Sequence, residues 1–331
     1  MIITRAPFRV SFCGGGSDIP SFYLKHGGCV LSTSIRKYMY LTLHQSFDPS
    51  EIVLKYSQTE IVHSYDEIKH NYFRQVLKDM NVHGVEITSM ADIPAGTGLG
   101  SSSSFTVALL HLLHTYKGEF VSKYQLANDA CDVEINQLGN PIGKQDQFAA
   151  AFGGLNFIEF KMNGYVDVQP VVMKPESYRQ LQHNLLMFYL GGTHSASAIL
   201  KEQTDSMKKD DVDGTKAQLQ MCDIARELKE QLEKNNIDAM GELMDENWQL
   251  KKTLATGISN PLIDETYDKA MKNGATGGKL LGAGGAGFML FYVPEDRQAS
   301  VREALSNLRE MEFKMDNSGS SIIHVEHDNV D

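Results

Sequence analysis

The chain has 331 residues, 42% of them hydrophobic and 22% charged, with 28 glycines against 9 prolines. That composition excludes a disordered tail or a fibrous repeat, and the length favours two packed domains over one. Its 42 acidic residues outnumber 31 basic ones, for a net charge of -11, so a nucleic-acid backbone is repelled at long range and any phosphate-bearing partner has to be held by a local site.

In chain order, the first 45 residues alternate apolar and polar positions around glycine-rich turns and read as sheet. His70 to Val82 carries Phe73, Val76, Leu77 and Met80 at helical spacing, and Val85 to Met90 returns to period two. A glycine-rich loop from Pro94 to Ser104 then opens an apolar helix through Leu113. Ser122 to Leu138 predicts a second helix, with Leu126, Ala130, Val133 and Gln137 on one stripe and Glu134 on its edge. Gly139-Asn140-Pro141 stops it. A short helix from Asp146 to Phe152 and strands at Leu155 to Phe160 and Val166 to Val172 complete the first half.

Polar Pro175-Glu176-Ser177 reads as a linker, which places domains at residues 1–178 and 179–331. Beyond a strand at Leu185 to Leu190 come four helices: Ser195 to Lys209, Thr215 to Lys234, Ile237 to Thr256 and Pro261 to Asn273. A strand at Phe288 to Val293, a helix from Glu295 to Leu308 and strands at Met311 to Met315 and Ser321 to His327 close the chain. Helices on an antiparallel sheet make the second half α+β.

Cys13, Cys29, Cys131 and Cys222 lie far apart with no C-x-x-C pair, so neither a zinc cluster nor a disulfide framework is expected. His111 and His114 share a helix face without a third ligand and read as a packed pair. No leader-like segment opens the sequence and no run of about 18 apolar residues occurs. The expectation is a cytoplasmic protein, monomeric or homodimeric, with a small-molecule partner and neither nucleic acid nor membrane.

Three glycine-rich stretches stand out: Gly14-Gly15-Gly16, Gly96 to Ser104, and Gly277 to Gly287. In the middle one, alternating glycines join a strand to a helix and leave backbone N–H groups at a helix N-terminus, where the dipole favours an anion such as phosphate. It is not a P-loop, because no G-x-x-x-x-G-K-[ST] occurs. Gly282 to Gly287 spells G-x-G-x-x-G, but it precedes a strand instead of opening a helix, so a dinucleotide fold fails on context. No G-x-S-x-G elbow is present.

These residues resemble the GHMP kinases. Arg5-Ala6-Pro7-Phe8-Arg9-Val10-Ser11-Phe12-Cys13-Gly14-Gly15-Gly16-Ser17-Asp18 is similar to that family's first motif, Pro94 to Ser103 to its ATP phosphate loop, and Gly277 to Gly287 to its third motif, all in the family's order. The resemblance implies a two-domain α+β fold, with an N-terminal mixed α/β domain and a C-terminal ferredoxin-like α+β domain bearing extra helices. Gly-Gly-Gly-Ser-Asp resembles the heptose and fucokinase branches, and the third motif, Lys279 to Phe288, looks like the heptose branch in particular, whose members phosphorylate the anomeric hydroxyl of D-glycero-D-manno-heptose 7-phosphate. Two residues depart from the pattern: Ala286 stands for a glycine, and His194 for an arginine.

Phosphoryl transfer needs a backbone cradle, a metal, a cation and a carboxylate near the attacking hydroxyl. By resemblance, ATP lies on Pro94, Gly96, Gly98, Leu99, Gly100, Ser101, Ser102 and Ser103, with Gly284 and Gly285 of the third motif. Mg²⁺ is assigned to Ser102 and Glu134. Asp146 is the catalytic aspartate, as base or as orienting partner, and Arg9 the catalytic cation. Asp18, Gly15 and Gly16 are assigned to the sugar, and Arg36, Lys37, His194 and Lys279 are nominated for its distal phosphate. The alternatives are a kinase for an unphosphorylated sugar such as fucose, and a non-catalytic ATP and sugar sensor.

Overall fold

The structure is a computed structural model that describes residues 1–192 and 212–326. Strands β1 (Ile2–Cys13) and β2 (Gly28–Gln45) form a long antiparallel pair. β2 is long enough to serve two neighbours: Gly28 to Thr33 pairs with β6 (Leu155–Phe160), and Met39 to Gln45 with β5 (Val85–Ala91). β3 (Ile52–Lys55) adds in parallel to β5, β4 (Thr59–Val62) pairs with β3, and β7 (Val166–Pro170) pairs with β6. The second sheet joins β8 (Leu185–Gly191), β9 (Gly277–Leu280), β10 (Gly287–Tyr292) and β11 (Arg309–Glu310) in the order β11-β8-β10-β9, all antiparallel.

The helices are α1 (Pro20–His26), α2 (Asn71–Met80), α3 (Ser101–Tyr116), α4 (Lys123–Cys131), α5 (Gln145–Phe152), α6 (Pro175–His183), α7 (Val212–Glu233), α8 (Ala239–Lys252), α9 (Pro261–Lys272) and α10 (Gln298–Ala304). Helix α3 lies on β1 and β2 and is buried on nearly every side, which explains its run from Phe105 to Leu113, apolar except at Thr106 and His111. Phe8, Phe12, Phe22, Phe148 and Phe160 fill the main core; Trp248, Phe188 and Phe291 fill a smaller one under the second sheet. Each buried aromatic of this kind contributes roughly 1.5–3 kcal/mol through removal from water.

Several segments depart from the sequence reading. Pro175 to Ser177 is no linker but the first turn of α6, since proline at the start of a helix gives up an N–H that would be unbonded anyway. Helix α1 escaped the reading because it spans only seven residues. The helix begun at Ser122, whose side chain accepts from Gln125 N at 3.1 Å, widens into a π-turn at Asp132–Gln137. Met311 to Met315 is not a strand; Met315 makes only an isolated bridge to Ile35. Glu295 to Leu308 contains a 3-10 turn and the short α10. Ser321–Val325 does form a strand, β12, but it joins the first sheet against β1. The helix expected over Ser195 to Lys209 falls outside the described residues.

Candidate active site

Strand β1 carries Arg9 next to a bulge, where the pairing steps from Pro7 opposite Tyr38 to Phe8 opposite Ile35. Bulges re-aim neighbouring side chains, and this one leaves Arg36 and Lys37 opposite no β1 residue. Arg9 is buried and holds Asp146 through two bonds, Nε to Oδ1 at 2.7 Å and Nη2 to Oδ2 at 2.9 Å, while Nη1 donates to the Gly98 carbonyl at 2.6 Å. Such a two-pronged guanidinium–carboxylate contact fixes orientation as well as charge. Asp146 sits in the first turn of α5, so one short helix aims the carboxylate that β1 grips.

The phosphate-loop glycines Gly96, Gly98 and Gly100 have φ of +77°, +85° and +77°. Alternation of left-handed residues turns successive backbone N–H groups toward one concavity, an anion nest. Gly100 caps α3, Thr97 Oγ1 ties back to the Pro94 carbonyl at 3.0 Å, and Arg9 N donates to the Leu99 carbonyl at 3.1 Å. Pro94 and Leu99 thus act through their backbones; the Leu99 side chain is in the core. The third glycine segment packs onto this loop, with Gly282 against Gly98 and Gly287 against Thr97.

The first glycine turn is shaped by contacts that a side chain would block. A Cβ on Gly14 would lie 2.1 Å from the Cys29 carbonyl oxygen. Asp18, fully buried, accepts from Gln145 N, Gln145 Nε2 and Gly16 N, each at 3.1 Å. Burial is the main cause pushing its carboxyl above the ordinary range, and the nearby Asp146 adds to it, against the Gln145 and Gly16 amides.

Arg9, Asp146, Asp18, Gly15, Gly16, Gly96, Gly98, Gly100, Ser101, Ser102 and Ser103 line one cavity of about 260 Å³. Glu134 lies behind it. It is not on a helix edge but has no exposed surface, because the π-turn rotates it inward, and its Oε2 accepts from Ser103 Oγ at 3.1 Å. Burial, opposed by the Thr106 and Ser103 hydroxyls, pushes its carboxyl up to about 8, and its Oε1 is buried with no hydrogen-bond partner. A buried carboxyl oxygen left bare on a residue bonded to Ser103, the sequence neighbour of the cavity-lining Ser102, suits a hard cation with oxygen ligands. The residues present therefore fit Mg²⁺.

Other nominated residues stand elsewhere. Lys279 does not reach the cavity; its Nζ is buried and donates to the Phe12 carbonyl at 3.0 Å and Ser11 Oγ at 3.5 Å. Arg36, displaced by the bulge, is exposed and bonds through its backbone N to the Lys314 carbonyl, away from the cavity lining. Gly284 and Gly285 pack on Ile258, and Gly282 and Ala283 line the cavity in their stead. His194 lies outside the described residues. His111 bonds Ser320 and His114 bonds Glu119, as expected of packed histidines.

Three contributors went unread in the sequence. Gln145 holds Asp18; Gln218 on α7 sends its amide toward the Gly14 and Gly15 carbonyls at 3.4 Å; and Lys251 on α8 is buried against the cavity wall. Lys251 had one available signal, its helical register with Trp248 and Met244, which places it on the buried side of α8.

A cavity in which a helix-capping glycine nest meets an arginine-held aspartate is the arrangement of a phosphotransferase. The chain belongs to the GHMP kinases: residues 68–154 match the GHMP kinases N-terminal domain and residues 228–311 the C-terminal one. It has that family's two-domain fold and is a phosphotransferase with a hydroxyl acceptor, in a family whose kinases use ATP.

Within the family it is similar to the D-glycero-alpha-D-manno-heptose 7-phosphate kinase of Campylobacter jejuni, 29% identical over 92% of this chain and 93% of that protein. It is also similar to the L-fucokinase/L-fucose-1-P guanylyltransferase of Bacteroides fragilis, 26% identical over 90% of this chain but only 35% of that longer protein. Among solved structures, a D-glycero-D-manno-heptose 1-phosphate kinase from Bacteroides thetaiotaomicron superposes with a TM-score of 0.79 over 99% of this chain and 100% of that one, at 26% identity. No helix among the described residues is long and apolar enough to cross a membrane.

Proposed function

We propose that this protein phosphorylates the anomeric C1 hydroxyl of D-glycero-D-manno-heptose 7-phosphate, using ATP, to give the 1,7-bisphosphate. The observation that carries the reading is the Arg9–Asp146 pair, set in one cavity with the phosphate loop on one side and Asp18 on the other. The similarity to heptose kinases over nearly the whole chain supports the choice of sugar.

In this reading the N–H groups from Gly96 to Ser103 cradle the nucleotide's phosphates at the start of α3. Asp18 and the Gly15-Gly16 backbone hold sugar hydroxyls, with Gln145 keeping the Asp18 carboxylate in place. Asp146 accepts the hydrogen of the anomeric hydroxyl and points the hydroxyl oxygen at the γ-phosphorus, and Arg9 keeps that carboxylate aimed through its two bonds. Ser102 and Glu134 would hold Mg²⁺, which when bound supplies charge neutralisation across the phosphates. Phosphoryl transfer makes few covalent demands on the protein, so this positioning carries most of the rate.

The test is ADP release with a panel of heptose 7-phosphate, fucose, mannose, galactose and mevalonate. Turnover with the heptose phosphate at a kcat/KM at least about tenfold above every other acceptor, a difference of about 1.4 kcal/mol, is expected. Preference for fucose would move the reading to the relative from B. fragilis, and silence with every sugar would remove it in favour of a sensor.

A further inference from the structure

Lys251 is a buried cation that the roles above leave unused. It sits at the last turn of α8, only 7% exposed, and lines the cavity. Its Nζ donates to the Gly282 carbonyl at 2.6 Å and makes no ion pair among the described residues. An ammonium has three donors, and one is engaged here. The charged groups that face it are Arg9 from β1, Asp18 from the first glycine turn, Asp146 from α5 and, across from it, Lys279 from β9. Burial is the main cause holding its pKa down to about 8, and Arg9 adds repulsion, against the attraction of Asp18 and Asp146.

Arg9 and Lys251 differ in how their charges are engaged, since Arg9 is ion-paired with Asp146. Arg9 already spends three N–H groups on Asp146 and Gly98. Lys279 is engaged with Phe12 and Ser11 and stays out of the cavity. Lys251 alone of the three joins an unpaired charge to a place in the cavity wall. Its position is also specific: it is bonded to Gly282, Gly282 abuts Gly98 at the middle of the phosphate loop, and Asp146 lies within its field. That is the junction between nucleotide cradle and acceptor, not the far end of a sugar.

We propose that Lys251 contacts the phosphoryl group in transfer between ATP and the acceptor hydroxyl, anchored for that task by the Gly282 carbonyl. The assignment rests on the kinase reading above and names a cation within it. A free ammonium at this point neutralises charge on the equatorial oxygens of the moving group, where such contacts strengthen the transition state more than the ground state.

Lys251→Met and Lys251→Arg test it, with thermal unfolding to verify that both fold. Lys251→Met should lower kcat by about 10²-fold or more, leave the KM for the sugar within about threefold, and weaken binding of a non-hydrolysable ATP analogue relative to ADP by about fivefold, read by calorimetry. Lys251→Arg should retain at least a tenth of kcat. Wild-type kcat/KM should fall as pH rises through about 8, since the protonated ammonium is the active form, and the arginine variant should lose that limb.

Unchanged kinetics in the methionine variant would overturn the assignment. So would a raised KM for the sugar phosphate with kcat preserved, which would place Lys251 on the acceptor's own phosphate. If the wild-type protein turns over no sugar at all, the kinase reading fails, and the calorimetric comparison of ATP analogue and ADP still decides whether Lys251 meets the terminal phosphate.

Discussion

Gly98 and Gly282 meet backbone to backbone: a Cβ on Gly98 would lie 2.4 Å from the Leu281 carbonyl oxygen, and one on Gly282 would lie 2.5 Å from the Gly98 Cα. Gly98→Ala should therefore abolish nucleotide binding, since neither loop can yield without moving the cradle. Gly118→Ala is the control, because Gly118 also has positive φ, +70°, yet a methyl there meets nothing within 4 Å. That variant should lose about 1 kcal/mol of stability and no activity. Thermal unfolding and calorimetry with ATP separate the two outcomes.

Asp146→Asn keeps the shape of the side chain and removes the charge that Arg9 holds through two bonds. Turnover should fall by about 10²-fold or more while ATP affinity stays within about threefold, as steady-state kinetics beside nucleotide titration would show. A loss of less than about tenfold, roughly 1.4 kcal/mol of barrier, would favour the sensor.

For Glu134→Gln the expected change lies in the metal requirement. The Glu134 carboxyl, pushed up to about 8 by burial, can give up its proton to a bound cation and become a charged ligand, which an amide cannot, so the Mg²⁺ concentration for half-maximal activity should rise by about tenfold. Chelator should silence the wild-type enzyme, and Ser102→Ala should shift the same titration in the same direction.

His111 gives a pH dependence unrelated to chemistry. Burial, with repulsion from His114 and Lys123, holds its imidazole down to about 4, and Nδ1 lies 2.8 Å from Ser320 Oγ. A ring kept neutral by the fold contributes stability that is complete above about pH 6.5 and is lost as pH falls toward 4. Urea unfolding at pH 7.5 and 4.5 should show wild type losing about 1–2 kcal/mol more than His111→Gln between those values.

Much of the site was legible because its parts are demanded by backbone geometry. Gly96, Gly98 and Gly100 are at left-handed positions that other residues adopt poorly, so their spacing exposes the nest directly. Arg9 and Asp146 were nominated through the family resemblance of the motifs around them, and the structure brings the two together. Lys251 was not, because Lys251-Lys252 at the end of a helix reads as a solvated pair favoured by the helix dipole, and only packing shows that one of the two turns inward. Arg36 and Lys279 were misplaced for the converse reason: a cation near a motif says nothing of which way a bulge or a strand points it. The partner of β12 was beyond reach, since strand pairing between distant segments leaves no local trace.

That pairing sets an order of events in synthesis. β1, with Arg9 on it, is synthesised long before the segment that covers one of its flanks, Ser321–Val325, since Arg5 and Ser321 are 316 positions apart. At ordinary translation rates β1 waits roughly 15–60 s for this neighbour. A nascent chain stalled before Ser321 would present an open strand edge to any chaperone or aggregating partner nearby.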